Sequence, residues 1–123
     1  MAESKPVAVI TGVGPGLGAA LARRFAQGGY AVAINARRAA YLRSLAEEIR
    51  AKDGQVLEVP ADMGDRAQVE AAFKTIREQL GSPELLLYNA GSGVMGTITD
   101  ITPEQYETIW RVNGFGSFLS AKE

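Results

Sequence analysis

Thr11-Gly12-Val13-Gly14-Pro15-Gly16-Leu17-Gly18 concentrates four glycines in seven positions directly after the short apolar run Val7 to Ile10. Backbone without side chains can bring its N–H groups against an anion, and the start of a helix adds a positive dipole end. In that arrangement Gly12 would permit a tight turn, and Gly16 would let the N–H groups approach a pyrophosphate. Gly18 would allow close packing of helix on strand, while Gly14 and Leu17 complete the candidate phosphate-contacting stretch. A glycine-rich turn with no ligand is the competing reading. The context favours binding, because this loop follows a strand, opens a helix and lies inside a βαβ unit.

The second apolar run, Tyr30 to Ile34, continues as Asn35-Ala36-Arg37-Arg38. A carboxylate at its end would hydrogen-bond the ribose hydroxyls of NAD and repel a 2′-phosphate. Ala36 is neutral instead, and the guanidinium groups of Arg37 and Arg38 suit a phosphate, so the nucleotide expected is NADP(H). Taken alone, both arginines could equally be solvated residues at the start of the next helix. Asp62, with Met63 beside it, follows the third strand where an adenine ring would sit, and its carboxylate could accept from the exocyclic amino group; it reads equally as a capping or turn acid. Asn89-Ala90-Gly91 after the fourth strand combines a side chain able to bond nearby backbone with two small residues that let a ribose approach.

Composition bounds the rest. The 123 residues are enough for one domain with a core, taken as 1–123, and short for a complete two-substrate enzyme. Thirteen basic and fourteen acidic residues give a net charge of −1, which disfavours nucleic acid and anionic membranes as partners. With no Cys and no His there is no disulfide framework, thiolate or imidazole metal site, and no histidine general base. The Met1 to Pro6 segment lacks the features of a secretory signal, and Val7 to Ile10 is too short to span a bilayer, so a cytoplasmic protein is expected.

The elements that must position these residues are legible from periodicity. After the glycine loop, Leu17, Leu21 and Phe25 recur every four residues and predict a helix buried along that stripe. Leu42, Leu45, Ala46 and Ile49 mark a second helix, Val56 to Val59 a third strand, and Val69, Ala72, Phe73, Ile76 and Leu80 a third helix opened by an Asp65–Gln68 capping box. Leu85 to Tyr88 reads as a fourth buried strand. Thr102, Pro103 and Gln105 supply the N-cap, first-turn and capping-box signals of a last helix. The order βαβαβαβα predicts an α/β fold, a doubly wound, Rossmann-type parallel sheet, incomplete on its C-terminal side.

These features in this order resemble the short-chain dehydrogenase/reductase family. Its signature Thr-Gly-x-x-x-Gly-x-Gly matches Thr11 to Gly18, its adenine-side Asp matches Asp62, and its Asn-Ala-Gly motif matches Asn89 to Gly91. Its helix Asn, preceded by Val and followed three residues later by Gly, matches Asn113 between Val112 and Gly116. The resemblance implies an NADP(H)-dependent oxidoreductase acting on a small carbonyl or alcohol substrate, represented by its cofactor-binding half and forming a homo-oligomer in the full enzyme. It also implies a catalytic role for Asn113, which in the family helps hold a water in a proton relay. Tyr88 stands where the family often has another Asn.

The family's catalytic Ser and Tyr-x-x-x-Lys have no counterpart: Tyr30, Tyr41, Tyr88 and Tyr106 are followed four residues later by Ile34, Leu45, Ser92 and Trp110. Read alone, Asn113 is a helix irregularity. The alternative function is therefore a non-catalytic dinucleotide-binding or interaction module. Trp110, Phe115, Phe118 and Leu119 are expected to be partly uncovered, so a chain ending at Glu123 is expected to self-associate.

Overall fold

The computed structural model describes residues 4–123; Met1 to Glu3 lie outside the described residues. Four strands, β1 (Val7–Thr11), β2 (Ala31–Ala36), β3 (Val56–Pro60) and β4 (Pro83–Tyr88), form one sheet in the order β3-β2-β1-β4. Every pairing is parallel. Helices α1 (Leu17–Gln27), α2 (Ala39–Ala51) and α3 (Arg66–Gln79) make the crossovers. The short apolar runs become parallel strands because both faces are covered. Ala8, Ile10, Val32 and Ile34 pack with Leu42, Leu45, Ala46 and Ile49 on one face. Val7, Val9, Ala31 and Ala33 pack with Val69, Phe73 and Ile76 on the other.

Chain order reverses at β1, since β2 lies on one side of it and β4 on the other. Loops leaving the carboxyl ends of β1 and β4 then diverge, which opens a crevice at that edge of the sheet.

Three local expectations are corrected. The buried stripe of α1 is Gly18, Ala19 and Ala22, whereas Leu17 is 63% exposed and Leu21 and Phe25 are half-buried. Small residues let α1 lie close against the sheet and the preceding loop, and close approach outranks the larger side chains in choosing the buried face. The Asp65 carboxylate does accept from Gln68 N at 3.1 Å, but the Gln68 side chain accepts from Asp62 N at 2.8 Å, so only half of the capping box forms. Strand β4 is half-buried along Leu85 to Tyr88, because it is the edge of the described sheet.

The last helix starts where expected, with both arms of the Thr102–Gln105 box in place. It does not run uniformly. After α4 (Pro103–Trp110) the segment Arg111–Phe115 is π-helical, and α5 (Gly116–Lys122) follows in line. Of the four apolar residues near this end, Leu119 is buried against the core, Phe115 is half-buried and stacks on Trp110 at 5.2 Å, and Phe118 is 61% exposed. Among the described residues no helix is long and apolar enough to cross a membrane.

Candidate functional site

A cavity of about 310 Å³ occupies the crevice at the carboxyl ends of the strands. Of the residues singled out from sequence, Gly12, Gly14, Arg37, Asp62, Met63, Ala90, Gly91 and Val112 line it. Gly16, Leu17, Arg38, Asn89 and Asn113 are not part of that wall. A cavity of about 370 Å³ lies at the opposite, amino edge of the strands, where Lys5, Arg23 and Lys52 mix with Glu48 and Asp53. Its charges largely answer one another, Arg23 pairing with Glu48 at 2.6 Å, and no glycine-loop group reaches it.

The glycines of the loop divide by cause. Gly12 has φ +68°, and a Cβ there would lie 2.5 Å from Asn89 O; Gly18 would meet Gly12 O at 2.5 Å. Both positions are closed by the protein's own backbone. Around Gly14 and Gly16, by contrast, a Cβ would find nothing within 4 Å. Gly16 is the N-cap of α1 and no side chain caps that end; Ala19 N donates to Gly14 O at 3.1 Å, which leaves the earlier N–H groups of the turn to meet an anion. The loop is anchored from beneath, where Val13 N donates to Asn35 O at 2.8 Å.

The end of β4 ties the two sides of the crevice together. Asn89 N and Ala90 N donate to the buried Thr11 hydroxyl oxygen at 2.9 and 3.1 Å, and Asn89 Nδ2 donates to Gly12 O at 3.1 Å. Asn89 thus acts behind the wall, as a brace of the glycine loop. On the other side, Asn113 Nδ2 donates to Ser92 O at 2.7 Å while its Oδ1 accepts from Ser92 N at 3.0 Å. This two-point clamp holds the strand-following loop against the π-helical segment, and segments of that type often mark functional positions.

Asp62 Oδ1 accepts from Gly64 N at 2.9 Å, a turn-forming bond, while the residue also borders the cavity. Arg37 and Arg38 are both exposed; Arg37 stands on the cavity rim beside Ala36. Asn35, Ala61, Ser92 and Thr108 also line the cavity and were missed from sequence. Asn35 carried a signal, being a lone amide in an otherwise apolar strand: it is buried, and its Nδ2 donates to Val59 O at 2.8 Å and Ala61 O at 3.2 Å. Those bonds fix the chain just before Asp62.

Tyr88 closes the far side by donating from its hydroxyl to Val112 O. Burial of the phenol, with the Asp62 charge nearby as the smaller cause, pushes its pKa up to about 12. A phenol that ionises later when folded than when unfolded contributes stability that is full below about pH 10 and lost as pH rises towards 12. Tyr88→Phe should therefore flatten the alkaline end of the stability profile relative to the parent, measured by denaturant melts between those pH values; parallel profiles would reject the assignment.

The model of the short chain dehydrogenase family matches residues 6–123. A short-chain dehydrogenase/reductase of Hericium erinaceus, eriH, is 38% identical over 98% of this chain and 49% of its own length. The L-sorbose reductase of Gluconobacter frateurii, in a crystal structure with NADPH and L-sorbose, superposes with TM-score 0.91 at 32% identity, covering 97% of this chain and 46% of that one. A metagenomic short-chain oxidoreductase in complex with NADP gives TM-score 0.91 at 29% identity over 97% and 54%. This chain belongs to the short-chain dehydrogenase family. It spans about half the length of the curated relatives it matches.

Proposed function

We propose that this chain supplies the NADP(H)-binding portion of an oxidoreductase acting on a small carbonyl or alcohol substrate. The observation that carries the reading is the pairing of an uncapped α1 N-terminus, open around Gly14 and Gly16, with a cavity whose rim has Ala36 and Arg37 where an acid would exclude a 2′-phosphate. Gly12, Gly14, Gly16 and Leu17 would hold the pyrophosphate, Arg37 and Arg38 the 2′-phosphate, and Asp62 and Met63 the adenine. Ala90, Gly91 and Val112 would border the nicotinamide-side ribose, with Asn89 bracing the glycine loop behind them. The nicotinamide, when bound, supplies the hydride acceptor or donor. Crystal structures of similar proteins that hold NADPH and NADP support the same nucleotide. The exposed Tyr106, Trp110 and Phe118 support a homo-oligomer, and a cytoplasmic setting is part of the same reading.

Titration calorimetry with both nucleotides tests this. NADPH is expected to bind more tightly than NADH, and Arg37→Ala to remove about 1.5–3 kcal/mol of that preference, roughly 10- to 150-fold. Equal affinities in the parent protein would sink the assignment.

The second reading, a non-catalytic nucleotide-binding module, is favoured by the Asn113 amide being engaged with Ser92. NADPH oxidation with a panel of carbonyl compounds tests the module reading, since turnover rejects it.

A further inference from the structure

The hydroxyl of Tyr88 reaches across the crevice from the last residue of β4 to the carbonyl of Val112, inside the π-helical segment. A Cβ on Gly116 would collide with that hydroxyl and with Met63 O, so the absence of a side chain at 116 is what gives the phenol its place. Within the next four residues of the chain, Asn89 and Ala90 brace the glycine loop through Thr11 and Gly12, and Ser92 is clamped by Asn113. The strand end therefore holds both walls of one cavity: Gly12 on one side, Val112 and Ser92 on the other.

We infer that Tyr88 is a positioning residue, whose hydroxyl holds the π-helical turn so that Val112 and the Asn113–Ser92 clamp form the nicotinamide-side wall of the nucleotide site. The inference rests on the nucleotide reading above. The Tyr88 hydroxyl bonds to none of the adenine-side groups Arg37, Asp62 and the Asn35-fixed end of β3, although the Asp62–Gly64 turn packs close to Val112. Loss of the hydroxyl should loosen the nicotinamide-side half of the site more than the adenine-side half.

Tyr88→Phe keeps the ring and removes only the donor. Its affinity for NADPH is expected to fall about three- to tenfold, the loss carried by one hydrogen bond. Its affinity for 2′,5′-ADP, which carries only the adenine side, should stay within about twofold. Amide hydrogen exchange, read without nucleotide, should speed up over residues 111–117 and not over α1 or α2. Equal loss of both ligands would show a general defect and overturn the inference, as would unchanged NADPH binding with unchanged exchange. A parent protein that binds neither ligand would instead overturn the nucleotide reading, and the exchange comparison would still decide whether the hydroxyl holds the turn.

Discussion

Gly12→Ala is expected to destabilise the fold by about 2–6 kcal/mol, a large share of the roughly 5–15 kcal/mol that holds a domain of this kind together. Two independent causes add. At φ +68° an L-residue is strained by about 1–3 kcal/mol, and the new methyl would sit 2.5 Å from Asn89 O and 2.6 Å from Ala90 N. Neither atom can step aside cheaply, because both belong to the Asn89–Ala90 peptide unit, whose N–H is bonded to Thr11. Overpacking against such a fixed partner costs about another 1–3 kcal/mol. Thermal unfolding followed by circular dichroism should show a midpoint lower by about 10 °C or more. An unchanged midpoint would mean that β4 does not approach the loop as closely as described.

Gly14→Val should do the opposite: leave the fold intact and remove the ligand. Nothing in the protein lies within 4 Å of a Cβ at this position, and its φ is outside the left-handed region. The following Pro15 favours extended backbone at residue 14, which a β-branched side chain accepts. The isopropyl group would project where the loop borders the cavity, taking space that a pyrophosphate needs. NADPH affinity is expected to drop by about 1–3 kcal/mol, roughly five- to 150-fold, with a thermal midpoint within about 2 °C of the parent. A variant that binds NADPH like the parent would remove Gly14 from the site. Together the two substitutions separate a glycine required by the chain's own packing from one left open for something else.

Much of this architecture was legible in the sequence. The α2 stripe Leu42, Leu45, Ala46 and Ile49 is the buried face observed, and the Thr102–Gln105 box caps α4 with both arms. Each of these signals lies within a few residues of the group it governs. The prediction for α1 failed for a related reason: four-residue spacing marks a stripe, but the choice between Leu17-Leu21-Phe25 and Gly18-Ala19-Ala22 depends on how closely the sheet lets the helix approach. Local periodicity contains no such distance. Asn113 was legible as an irregularity, and the π-helical segment is that irregularity.

By itself the sequence determined the element order, the helix starts, the glycine loop and the neutral-then-basic end of β2, because these follow from side-chain type and near-neighbour spacing. Tertiary structure decided which glycines are closed by the protein and which stand open, that Asn89 braces the loop through Thr11 and Gly12, and that Asn113 grips Ser92. It also decided that Asn35 fixes the end of β3 and that Tyr88 reaches Val112. These ties join residues from 21 to 78 positions apart. They exist only because the order β3-β2-β1-β4 brings the ends of separate strands to one edge, where the backbone groups left unpaired by the diverging loops take their partners from the neighbouring strand ends and from the last helix.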